Sequence, residues 1–243
     1  MISNLLSSSK PLAFITDEQL EEFAKSLLQK AQVAANRDEK HIYTNVIDPF
    51  SASFDAVRQG VTLVRWLEQE KSRQIQKTLQ NYVGDFHQSV IGVIPGWENL
   101  KVGSSIDLRC RDKKIIVEIK NKHNTMNSSS ALAIYDKLQR HLDYDESYQG
   151  FTAYCVVVIP KKPRPQNVMF HPSERSTPRP ERENIRLIDG KSFYELATGD
   201  PDALQKLYIR LVIVLSRIKN INPEEFIKGG TFEDLFNRAY KIR

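Results

Sequence analysis

The chain has 243 residues, 40% apolar and 27% charged, with a formal net charge of +5, which fits one sizeable globular domain, or at most two small ones, with a substantial core. Residues 1–20 lack the basic start and unbroken apolar stretch of a signal peptide, and no run reaches the roughly 18 apolar residues of a membrane helix, so a cytoplasmic protein without a membrane partner is expected. Cys110 and Cys155 sit in apolar strand-like segments with no CxxC spacing and read as reduced core thiols, while the modest basic excess suits a polyanionic partner without identifying one.

Thr16 and Gln19 form a capping box, and Leu20, Phe23, Leu27, Leu28 and Ala31 recur at helical spacing, predicting a first helix to about Asn36. A second helical region is predicted over 54–94, with Gly84 as a candidate interruption and "IPGW" at 94–97 as its stop. Two strands of a hairpin follow. "NSSS" then offers caps to a helix striped by Ala131, Ile134, Tyr135, Leu138 and Leu142. "GFTAYCVVVIP" at 150–160 suits a central strand buried on both faces, and a further strand is predicted at 185–188. Helices close the chain, one striped by Leu204, Leu207, Leu211 and Leu215, and a shorter one over 223–240. The order predicts an α/β sandwich on a mixed sheet, in a single domain with a helical N-terminal region (1–60), a core (61–220) and C-terminal helices (200–243).

The hairpin "SSIDLRCRDKKIIVEIKNKHNTMN" at 104–127 carries the chemistry. A turn at Asp112 and Lys113 pairs Cys110 with Ile115, Leu108 with Val117 and Ile106 with Ile119 on an apolar face. The opposite face then pairs Asp107 with Glu118 and Ser105 with Lys120. Directly opposed carboxylates repel unless a cation lies between them, and an all-oxygen pair suits a hard divalent ion such as Mg²⁺. Lys120 shares that face and can stabilise charge on a phosphate or help to deprotonate a metal-acidified water. The bland alternative is a structural ion cluster, because an Asp followed eleven residues later by Glu-x-Lys also arises by chance.

Asp107 with "EIK" at 118–120 resembles the active-site signature of the PD-(D/E)XK nuclease superfamily, with Ile106 in place of the proline that names the motif. Together with "GDFHQSVIGVIPGW", "GSSIDLRC", "VEIKNKHNTMNSSS" and "IRLIDGKSFYELATG", it is similar to a small group of type II restriction endonucleases that cut GGNCC or GGWCC sites, over about residues 75–215. The resemblance implies a restriction-endonuclease-like core and Mg²⁺-dependent hydrolysis of double-stranded DNA that leaves 5′-phosphate ends. Asp107, Glu118 and the backbone carbonyl of Ile119 become metal ligands, and Lys120 the catalytic lysine. Many superfamily members add an acid from the preceding helix. Here "GDFHQ" offers His87 and Gln88 instead, so Gln88 and Glu70 are carried as auxiliary candidates, with Glu68 and Asp85 as solvated alternatives.

Reading base edges needs paired donors and acceptors outside the catalytic face. Asn121, Lys122, His123, Asn124 and Asn127 leave the catalytic strand and are candidates, although a polar loop with a helix cap has the same composition. The segment 160–184 carries Lys161, Lys162, Arg164, Arg175, Arg179 and Arg182 among its prolines and is expected to be a basic DNA-binding loop. A palindromic site calls for a twofold homodimer, with "LYIRLVIVL" at 207–215 as interface or core helix, and a cognate DNA methyltransferase as functional partner. Two other classes stay open: a related repair or recombination nuclease without site specificity, and a catalytically inert DNA-binding protein.

Overall fold

The structure is a computed structural model that describes residues 10–36, 46–100, 105–174 and 177–240. It falls into two compact units, one of residues 1–24 with 84–243 and one of residues 25–83.

Helix α1 (Asp17–Ala35) opens with the predicted capping box: Thr16 Oγ1 accepts from Gln19 N (3.2 Å) and Gln19 Oε1 from Thr16 N (3.1 Å). The helical region predicted over 54–94 comprises two helices and begins earlier, at Pro49. Helix α2 (Pro49–Gln59) starts at the Asp48-Pro49 pair, where Asp48 accepts from Phe50 N (3.0 Å) and Pro49 needs no donor. It ends on Gly60, whose φ of 66° is the left-handed geometry that glycine adopts freely. Helix α3 (Leu63–Gly92) then runs past Gly84 without interruption.

In the larger unit, β1 (Trp97–Asn99), β2 (Leu108–Cys110) and β3 (Ile115–Lys122) form an antiparallel meander. The hairpin has the predicted register, Leu108 opposite Val117 and Cys110 opposite Ile115, closed by Lys114 N donating to Arg111 O (3.0 Å). Helix α4 (Ser128–Tyr144), capped by Asn127, leads to β4 (Thr152–Ile159), which lies parallel to β3 and is buried over its middle six residues. The segment 160–184, expected to be a basic DNA-binding loop, also carries short strands. It contains β5 (Asn167–Met169) and a small ribbon of β6 (Ser173–Glu174) with β7 (Thr177–Pro178). Strand β8 (Ile185–Asp189) pairs parallel with β4 and antiparallel with β5, so the sheet order is β1-β2-β3-β4-β8-β5.

Helix α5 (Gly190–Thr198) starts on the Asp189 cap, and α6 (Ala203–Lys219), α7 (Pro223–Phe226) and α8 (Thr231–Tyr240) follow, two short helices where one was predicted over 223–240. Alternation along β3 and β4 divides the core. Ile116, Ala153, Cys155 and Val157 pack with Ala131, Ile134, Tyr135 and Leu138 of α4, while Tyr154 meets Phe193 of α5 from the other side. In the 207–215 stretch, Leu207, Val212 and Val214 are buried, which is core-helix behaviour.

Candidate active site

Strand β3 brings Glu118 into the sheet interior, paired with Cys155 of β4 and only 5% exposed. Ile116, Glu118 and Lys120 alternate on the face covered by α4. A buried carboxylate must be neutralised, and two ammonium groups do this: Lys120 Nζ donates to Oε1 (2.9 Å) and Lys137 Nζ of α4 to Oε2. Lys120 itself is pushed up from the ordinary lysine value. Burial works against that shift, but the Glu118 hydrogen bond and the Glu118 and Asp107 charges outweigh it. Lys120 is therefore a cation at neutral pH, suited to holding a phosphate rather than taking a proton.

Asp107 does not sit across from Glu118 in the ladder as predicted. It occupies a bend before β2, where the pairing slips by one residue and its amide donates to Val117 O (3.0 Å). The slip turns Ile106 to the α4 face, where it packs with Ile116 rather than opposite Ile119. Ser105 likewise bonds His141 Nε2 (2.6 Å) instead of facing Lys120. The Asp107 carboxylate still reaches the site, because Oδ2 accepts the amide of Ile119 (2.8 Å). Burial, and after it the charge of Glu118, push the Asp107 carboxyl up to about 6.

These residues fit a divalent cation. Asp107 carries an ionisation penalty that includes repulsion from a second carboxylate, and a positive ion bound by both would relieve it. The donors are all oxygen, as Mg²⁺ prefers. Among the described residues no cluster of three or more His, Cys, Asp or Glu forms a metal site of its own. Cys155 stays a thiol, since burial and then Glu118 push it to about 12. His87 is pushed down to about 4 by desolvation and shares a 2.9 Å hydrogen bond with Tyr194.

Of the auxiliary candidates, Gln88 Nε2 donates to the Asp107 carbonyl (3.1 Å) and to Asn99 Oδ1 (3.1 Å). It fixes the bend that carries Asp107. Glu70 belongs to the other unit, where Arg73 (2.6 Å) and Gln74 (3.0 Å) hold its carboxylate and Arg73 chiefly lowers its pKa.

The candidate DNA-reading residues separate into groups. Asn121 and Lys122 end β3 half-buried, Asn124 is exposed, and His123 has a buried Nδ1 with no hydrogen-bond partner among the described residues. Asn127 Oδ1 is occupied as the α4 cap, accepting from Ser130 N and Oγ (both 2.8 Å). Lys161, Lys162 and Arg164 are exposed. Arg175 lies outside the described residues. Arg179 grips Asp136 with two bonds (2.8 and 2.7 Å) and Arg182 bonds Asp143 (2.8 Å), so both tie the segment to α4.

Sequence reasoning missed Lys137. The spacing fits only once the helix is known to lie over the sheet: Glu118 is four residues before the end of β3 and Lys137 nine beyond the start of α4, each roughly 13 Å along its element.

A family model described as Eco47II restriction endonuclease matches residues 12–220. The chain is 41% identical over 203 residues to "Type II restriction enzyme Eco47II" of Escherichia coli, covering 82% of this chain and 84% of that one. It is 32% identical over 239 residues to "Type II restriction enzyme Sau96I" of Staphylococcus aureus, covering 96% and 90%. No helix among the described residues is long and apolar enough to cross a membrane.

Proposed function

The chain belongs to the Eco47II restriction endonuclease family and is a type II site-specific deoxyribonuclease acting on double-stranded DNA, and on that basis we propose that Asp107, Glu118 and Lys120 are its hydrolytic centre. The observation that supports this best is the buried Glu118 carboxylate of β3, whose charge bears on an Asp107 whose Oδ2 is fixed on Ile119 N. Asp107, Glu118 and the Ile119 carbonyl would hold Mg²⁺, which would supply an acidified water and positive charge against the scissile phosphate.

The protein supplies the placement. Ile119 N orients the Asp107 carboxylate, and Gln88 holds the backbone beneath it. The Lys120 ammonium faces the phosphate, where negative charge builds as water adds and the 3′-oxygen leaves, giving 5′-phosphate ends. Asn121, Lys122, His123 and Asn124 continue from the catalytic strand toward the bases, and Lys161, Lys162 and Arg164 neutralise backbone phosphates. The recognised site is a palindrome of the GGNCC or GGWCC kind, cut by a homodimer with one centre per strand, in the cytoplasm beside a cognate methyltransferase.

Incubating the purified protein with plasmid DNA and Mg²⁺, with EDTA as control, and sequencing the fragment ends tests this reading. Discrete fragments that end at one palindromic pentanucleotide, and no cutting in EDTA, are expected. A metal-dependent smear would instead indicate a non-specific nuclease, and intact plasmid with measurable DNA binding an inert binder.

A further inference from the structure

Among the described residues, Lys137 is the one charged group on Glu118 that the hairpin does not supply. Each oxygen of the carboxylate holds one ammonium, Oε1 that of Lys120 from the same strand and Oε2 that of Lys137 from α4. The Lys137 side chain is 30% exposed, so its head can leave Glu118 for a partner at the surface without crossing the core. An ammonium on an oxygen takes one of its lone-pair sites and repels an incoming cation, so a metal gains that oxygen more readily once the ammonium moves. Charge balance points the same way. Two carboxylates face two ammoniums, so a divalent ion arriving alone adds two positive charges to a balanced cluster, whereas a DNA phosphate arriving with it offsets one of them.

We propose that Lys137 is a positioning residue that occupies Glu118 Oε2 in the DNA-free enzyme and yields it to the divalent cation when a DNA phosphate takes up its ammonium. Metal loading and DNA binding are thereby coupled, each strengthening the other, as linkage requires. The inference rests on Asp107 and Glu118 being the metal ligands. A purely structural ion pair has the opposite consequence: its removal would loosen Glu118 and weaken metal binding.

Calorimetric titration of Mg²⁺ into the DNA-free wild type, Lys137→Met, Lys137→Arg and Glu118→Gln separates these outcomes. Lys137→Met, which keeps the stem and removes the charge, binds Mg²⁺ at least about fivefold tighter than the wild type, and Lys137→Arg stays within about twofold of it. Yet Lys137→Met cleaves DNA at saturating Mg²⁺ about tenfold more slowly, because the ammonium that would grip the phosphate is gone. Unchanged, weaker or absent Mg²⁺ binding by Lys137→Met overturns the proposal. Should that variant lose its far-ultraviolet dichroism, Lys137→Gln is judged by the same criterion. If Glu118→Gln binds Mg²⁺ as the best-binding of these proteins does, the ligand assignment fails instead, a result distinct from failure of the Lys137 inference.

Discussion

Asp107 is held in a state that costs stability and that the proposed hydrolysis would use. Its carboxyl is raised to about 6 by burial and by Glu118, so at neutral pH the folded protein carries an anion that is less comfortable than in the unfolded chain. A group raised above its unfolded value favours folding when protonated, and an acid so shifted therefore costs stability once ionised. Asp107→Asn removes the charge and keeps an oxygen for Ile119 N. Metal-free thermal unfolding should show this variant stabilised by roughly 1–3 kcal/mol, with DNA cleavage abolished. A variant less stable than the wild type would mean that the carboxylate is not repelled. Glu118 and Lys120 were legible in the sequence because alternation along a short strand decides which residues share a face. Lys137 was not, because its meeting with Glu118 depends on how a helix lies over the sheet, which periodicity within the helix does not fix.

Elements set these residues in place through a few close approaches. Strand β8 passes directly into α5 at Gly190, where a Cβ would lie 2.6 Å from Val158 O and 2.9 Å from its Cα. Asp189 caps α5 through Ser192 N (3.1 Å) while also accepting from Gln166 N (2.7 Å). Gly190→Ala forces α5 away from β4, and chemical denaturation should report a loss of roughly 2–4 kcal/mol. A loss below about 0.5 kcal/mol would show that the two elements can separate freely. Hydrophobic pattern predicted β3, β4, β8, α4 and α6 well, since each has one strong period or an unbroken apolar run. It failed at the Asp107 bend, where a slip of one residue reverses which face Ile106 occupies. It also failed across 160–184, whose strands are too short for alternation to register and whose Arg179 and Arg182 find acids on α4 that lie some 40 residues away in sequence.

As a whole molecule, the enzyme must hold DNA by charge and cut it at one centre. Among the described residues of the segment, Lys161, Lys162 and Arg164 are its exposed lysines and arginine, whereas Arg179 and Arg182 are engaged within the protein. Replacing all three exposed residues with alanine should weaken binding to any duplex and lower the slope of log affinity against log salt by about 0.9 for each phosphate no longer neutralised. An unchanged slope would remove these residues from the DNA interface. Whether Asp107, Glu118 and Lys120 perform hydrolysis, rather than merely supporting the fold, is decided by measuring cleavage and duplex affinity side by side for the wild type and Glu118→Gln. Cleavage should fall by at least about 10³-fold, with duplex affinity within about tenfold of the wild type. Cleavage that survives the substitution would place the chemistry elsewhere in the molecule.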